Sequence, residues 1–139
     1  MPSASTALQQ SVFAALAADT PLTALIGASR IVDDVPQGTP LPYLTFGQST
    51  ERDWSTGGDP DTEDGSEHIF TLHVWSKARG KKEARDIIGA IRAVLHDQAL
   101  TLSGHRLVNL RHEFSEARRD PDGETIHGLA RFRAVTEPA

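Results

Sequence analysis

Six histidines, His68, His73, His96, His105, His112 and His127, are the residues of this chain best suited to metal binding or acid–base work. Their spacing argues against a shared centre. His68 and His73 are an odd number of residues apart in an alternating segment, which puts them on opposite faces of a strand. His73, two residues before Trp75, is expected to be partly buried and hydrogen-bonded. His96 closes a helical segment, where a cation suits the negative end of the helix dipole. His105, His112 and His127 fall on the two strands of a hairpin and can approach across it, but no H-E-x-x-H pairing supports a site. The enzymatic reading left open is a small metal-dependent hydrolase using His73, His112 and His127 with a nearby aspartate; a structural role is the default for all six.

The carboxylates are concentrated in one place. Residues 51–67 carry Glu51, Asp53, Asp59, Asp61, Glu63, Asp64 and Glu67 against Arg52 alone, a local balance more negative than the −5 of the whole chain. Asp59, Asp61 and Glu63 superficially suggest a calcium loop. The sixth position, however, is Asp64 where an EF-hand needs glycine, and the twelfth is Phe70 where it needs a bidentate glutamate. Such a loop repels a phosphate backbone, so a general nucleic-acid binder is disfavoured. No G-x-S-x-G elbow occurs, and Gly80-Lys81-Lys82 lacks the remainder of a phosphate loop. Without a cysteine, disulfides and thiolate zinc sites are excluded. No catalytic residues, metal or cofactor are therefore expected.

The elements that must position these groups are read from periodicity. A chain of 139 residues is one domain's length, 1–139, and no apolar run reaches the ~20 residues of a membrane span. A soluble protein made in a cytoplasm is expected. Thr6-Ala7-Leu8-Gln9 has capping-box spacing, and Leu8, Val12, Phe13 and Leu16 mark a helical face ending near Ala18. Thr20-Pro21 starts a short second helix ending at Gly27. Arg30–Asp33 reads as a short strand, followed by a proline-interrupted connector and a strand from Tyr43 to Gly47. From Ile69 to Trp75 the chain alternates, and Ala84, Ile87, Ile88, Ile91, Val94 and Leu95 then form the stripe of an amphipathic helix. His105–Phe114 and Thr125–Val135 flank the turn signal Asp120-Pro121-Asp122-Gly123. The expected fold is α+β: an antiparallel sheet of about four strands, helices on one face, and a projecting C-terminal β-hairpin.

Read together, Ile31-Val32-Asp33-Asp34-Val35-Pro36, Pro42-Tyr43-Leu44, Leu72-His73-Val74-Trp75-Ser76, Val94-Leu95-His96 and Arg118-Arg119-Asp120-Pro121-Asp122-Gly123 carry a resemblance. The chain resembles the tail-completion or tail-terminator family of long-tailed phages and gene transfer agents over roughly residues 8–136. That resemblance implies a structural virion protein at the tail–neck junction, assembled in the host bacterial cytoplasm. It implies a hexameric ring that caps the tail tube, ends its polymerisation and joins it to the head connector, with DNA only passing through the channel. Partners would be further copies of the chain, the tail tube protein and the head–tail stopper. A closed ring needs two different patches on each subunit. Candidates for subunit interface or channel are Trp54, Asp59, Asp61, Glu63 and Asp64 on one side, and Lys77, Arg79, Lys81 and Lys82 with an exposed strand edge on the other. Arg118, Arg119, Asp122 and Gly123 are candidates for contact with tube or neck. A stopper subunit and a cytosolic adaptor are the alternatives.

Overall fold

A computed structural model of the chain describes residues 2–54, 65–77 and 79–139. Helix α1 runs Ala4–Ala18 and is capped by Ser3, whose Oγ accepts from Thr6 N–H at 3.1 Å. The cap thus lies three residues before the expected Thr6. Leu8, Val12 and Leu16 are buried, whereas Phe13 turns outward and is 44% exposed. Helix α2, Thr20–Ile26, is capped by Asp19, which accepts from Leu22 N–H at 3.0 Å, and ends at Gly27 with φ 89°. The third helix, α3, spans Lys82–Leu95 and buries Ala84, Ile87, Ile88, Ile91 and Leu95, the stripe its periodicity predicts.

The strands are β1 (Ile31–Val32), β2 (Tyr43–Trp54), β3 (Gly65–Ser76), β4 (Thr101–Leu102), β5 (His105–Arg119) and β6 (Ile126–Pro138). They form one six-stranded sheet in the order β1-β2-β3-β6-β5-β4. Two expectations are corrected here. The sheet has six strands rather than four, and β1 runs parallel to β2, so it is mixed. β1 is the short strand expected at Arg30–Asp33, whereas β4, also two residues long, leaves no periodic signal; β1–β2 is the parallel pairing, and β4 and the four long strands pair antiparallel with their neighbours. Arg30 fastens the proline-rich connector to β1, its Nη1 donating to the carbonyls of Pro40 at 3.0 Å and Pro42 at 3.3 Å.

Nor does the C-terminal hairpin project as an arm. β6 lies in the middle of the sheet and is paired with β3 from Ile126 to Thr136 while β5 pairs with its other edge, so only the turn at 120–125 extends past the ladder. Its helix-facing residues explain the position. Ile126, Ala130, Phe132 and Ala134 are fully buried, and Gly128 lets α3 approach closely: a Cβ there would meet Ile88 Cδ1 at 3.0 Å and Ala84 Cβ at 3.6 Å. Phe132 stacks on Phe70 with ring centroids 5.6 Å apart. All three helices cover this face, on which His68, Phe70, Leu72, Val74 and Ser76 of β3 also lie. Among the described residues, the opposite face carries no helix.

Candidate functional site

Strand alternation decides which side chains reach the uncovered face. From β3 these are Glu67, Ile69, Thr71, His73 and Trp75; from β6, His127, Leu129, Arg131, Arg133 and Val135. After one-residue insertions in β2 and β5, Thr50, Arg52 and Trp54 join from one side and Phe114, Glu116 and Arg118 from the other.

Two arginine–aromatic pairs organise this face. Arg133 donates from Nε to Glu67 Oε2 at 2.7 Å, and its guanidinium carbon lies 4.9 Å from the Trp54 ring centroid. Arg52 Nε is 3.8 Å from the other Glu67 oxygen. Arg131 lies 5.3 Å over Phe114 and 3.4 Å from Glu113. Stacking a cation on a ring covers part of an apolar surface while leaving the charge solvated. Trp54 nevertheless stays 46% exposed and Phe114 41%.

Beside them lies a histidine pair. His73 Nδ1 is 2.7 Å from His127 Nε2, and the His127 ring stacks on Trp75 at 4.1 Å with an interplanar angle of 2°. Trp75 Nε1 donates to Thr45 Oγ1 at 3.1 Å. Gly47 makes room, since a Cβ there would collide with His73 Nε2. A ring-to-ring bond needs one nitrogen protonated and the other bare, so both rings cannot be cationic and keep it. Burial lowers the pKa of both, aided at His73 by His127 and Arg118.

The other histidines are placed individually. His68 is buried on the helical face, its Nε2 2.9 Å from Thr136 Oγ1, and burial lowers its pKa despite Glu51. His112 also sits on the helical side, its ring edge-on to Phe132, and its backbone N–H donates to His96 Nδ1 at 2.9 Å. His105 bonds the Pro2 carbonyl at 3.1 Å. The structure therefore joins His73 with His127 but puts His112 on the far face, separating the three residues of the hydrolase reading. Among the described residues, no three His, Asp or Glu side chains converge on one point.

The remaining candidates divide between the two ends of the sheet. Trp54 lies at the β2–β3 turn end; Asp59, Asp61, Glu63 and Asp64 lie outside the described residues. Lys77, Arg79, Lys81 and Lys82 are exposed at the opposite end, and Lys82 pairs with Asp86 at 2.7 Å, which raises its pKa. The β5–β6 turn shares that end. Asp122 builds it: Oδ1 accepts from the backbone N–H groups of Glu124 and Thr125, each at 2.9 Å, and Oδ2 from Thr125 Oγ1 at 2.7 Å. These bonds hold the Asp122 carboxyl below its ordinary pKa. Gly123 supplies φ 76°, and Arg119 donates to its carbonyl at 3.2 Å, while Arg118 extends beside His127 on the uncovered face. Asp122 and Gly123 thus have a structural task, leaving Arg118 and Arg119 as the groups available to a partner. Sequence reasoning missed Phe114, Arg131 and Arg133, although the alternation Arg131-Phe132-Arg133 put both arginines on one face.

A groove of about 510 Å³ between α1 and the β1–β2 edge is lined by Thr6, Gln9, Gln10, Phe13, Ile31, Asp33 and Phe46. It holds one ionisable group and no nucleophile–base pair. No helix among the described residues is long and apolar enough to cross a membrane.

The family model described as tail completion protein gp17 matches residues 10–137. A chain in the virion of a native gene transfer agent particle superposes with a TM-score of 0.86 and 32% identity, covering 99% of each chain. The gp17 protein of bacteriophage SPP1 shares the fold, with a TM-score of 0.63 and 23% identity over 94% of this chain and 89% of that one. Among curated proteins there is no match.

Proposed function

Given that this chain belongs to the tail completion protein gp17 family, we propose that it forms a ring of six copies on the end of a tail tube. There it stops tube polymerisation and joins the tail to the head connector. The observation that carries this reading is the end-to-end match, at 32% identity, to a chain of a gene transfer agent virion. Two features of the molecule suit it. An uncovered sheet face bearing exposed Trp54 and Phe114 is a surface built to meet protein. The charges are also polarised along the strands: Lys77, Arg79, Lys81, Lys82, Arg118 and Arg119 gather at one end, and Glu51, Asp53 and Glu67 lie toward the other. A ring with its carboxylates toward the channel passes DNA without binding it. Tube and connector would then meet opposite ends of the subunit, and the protein would act by geometry rather than catalysis.

Cryo-electron microscopy of particles made with and without this chain tests the proposal. The expected result is a six-subunit ring where tube meets neck, and tails of uncontrolled length or unjoined to heads when the chain is deleted. Normal joined tails without it would overturn the reading.

A further inference from the structure

Resting on the ring reading above, we infer that neighbouring copies join by main-chain pairing: Ser49–Trp54 of β2 in one copy lies antiparallel to Phe114–Arg119 of β5 in the next. These segments are the open stretches of the two outer long strands. β1 covers β2 only at Leu44 and Thr45, and β4 covers β5 only at His105 and Arg106. The turn after α3 takes the Leu110 carbonyl and the His112 N–H. Among the described residues no strand lies beside either remaining stretch, and a sheet edge that no other strand borders can template pairing with another chain.

The backbone parity agrees. Leu44 donates outward to the Arg30 carbonyl, and one extra residue between Phe46 and Ser49 then shifts the outward-pointing main chain to Ser49 and Glu51. On β5, Leu110 and His112 point outward, and the inserted Glu113 shifts that role to Ser115, Ala117 and Arg119. Placing Ser49 opposite Arg119 sets Glu51 opposite Ala117, so outward groups face outward groups.

The side chains select the same register. It puts Arg52 opposite Glu116 and Trp54 opposite Phe114 on the uncovered face, joining opposite charges and the two exposed aromatic rings. On the helical face, Glu51 lies diagonal to Arg119. A slip of one residue sends these partners to opposite faces, and a slip of two residues sets Arg52 against Arg118. Direction is also satisfied: β2 and β5 run antiparallel within a copy, so a neighbour added in the same orientation continues the alternation.

The chain has no cysteine, which allows a direct test. Arg52→Cys and Glu116→Cys would occupy a non-hydrogen-bonded antiparallel pair, with Cα atoms about 4.5 Å apart, within disulfide reach. In particles carrying both substitutions, mild oxidation should give a ladder of covalent multimers on a non-reducing gel, and neither single variant should. Trp54→Cys with Phe114→Cys tests the same register independently. A ring seen by electron microscopy with no ladder from either pair overturns the edge pairing and leaves the ring reading standing. Particles with no ring at the tube end overturn both.

Discussion

The histidine pair on the uncovered face makes the residue-scale behaviour of this protein pH-dependent. His68, His73, His112 and His127 all have folded-state pKa values lowered from 6.5, chiefly by burial. The unfolded chain therefore binds more protons than the folded one as pH falls. The stability contributed by these four neutral rings is fully present above pH 6.5 and is lost as pH drops through their folded values. Thermal unfolding followed from pH 7.5 to pH 5 should show a falling Tm, and His127→Gln should flatten part of that slope by removing the cationic repulsion with His73. An unchanged slope would separate the pair from the acid response. None of this was legible in the sequence: His73 and His127 are 54 positions apart, and only the β3–β6 register brings them into contact. That Trp75 would flank a partly buried His73 was legible, because both belong to one alternating segment.

At the scale of elements, α3 is legible in the sequence because its stripe of isoleucines and leucines is local and repeats every three to four residues. Its seat is not, since a helix does not name the strand beneath it. Two glycines separate those lines of information. Gly89 lies inside α3, where an added Cβ would meet nothing within 4 Å, so Gly89→Ala should stabilise the protein by up to about 1 kcal/mol. Gly128 lies under the helix against Ile88, and Gly128→Val should destabilise by about 1–3 kcal/mol through overpacking. Urea unfolding of the two variants checks both signs. The two-residue strand β4 leaves little trace in the sequence for a related reason: it depends on its neighbour, Thr101 beside Arg106, and not on a pattern of its own. The short strand at Arg30–Asp33 was legible, but its parallel pairing with β2 through the bond from Leu44 to the Arg30 carbonyl was not.

For the whole molecule, the hairpin turn and the basic turn before α3 share one end, a convergence that the sequence hid by placing them about 40 residues apart. Arg118 and Arg119 are the exposed cations of that hairpin, and Asp122 holds the turn by three bonds of its own, to which Arg119 adds one exposed bond to the Gly123 carbonyl. Arg118→Ala with Arg119→Ala should therefore leave the fold intact while producing tails of uncontrolled length or tails unattached to heads. Electron microscopy of the particles measures this, and normal tails would remove the arginines from the docking face.

The diagonal placement of the two open edges also fixes a shape. Within one copy, Ser49 is level with Phe70, Phe132 and His112 across the sheet. In the inferred register it lies beside Arg119 of the next copy, six ladder steps farther along β5 once the inserted Glu113 is discounted. Each copy is then displaced by about 20 Å along its strands for every four strands, which span about 19 Å measured perpendicular to them. That ratio tilts the strands by about 45° to the ring axis, close to the tilt at which closed β-barrels form. With six copies, the wall would be a single slanted barrel of backbone radius about 25 Å, a bore wide enough for a DNA duplex.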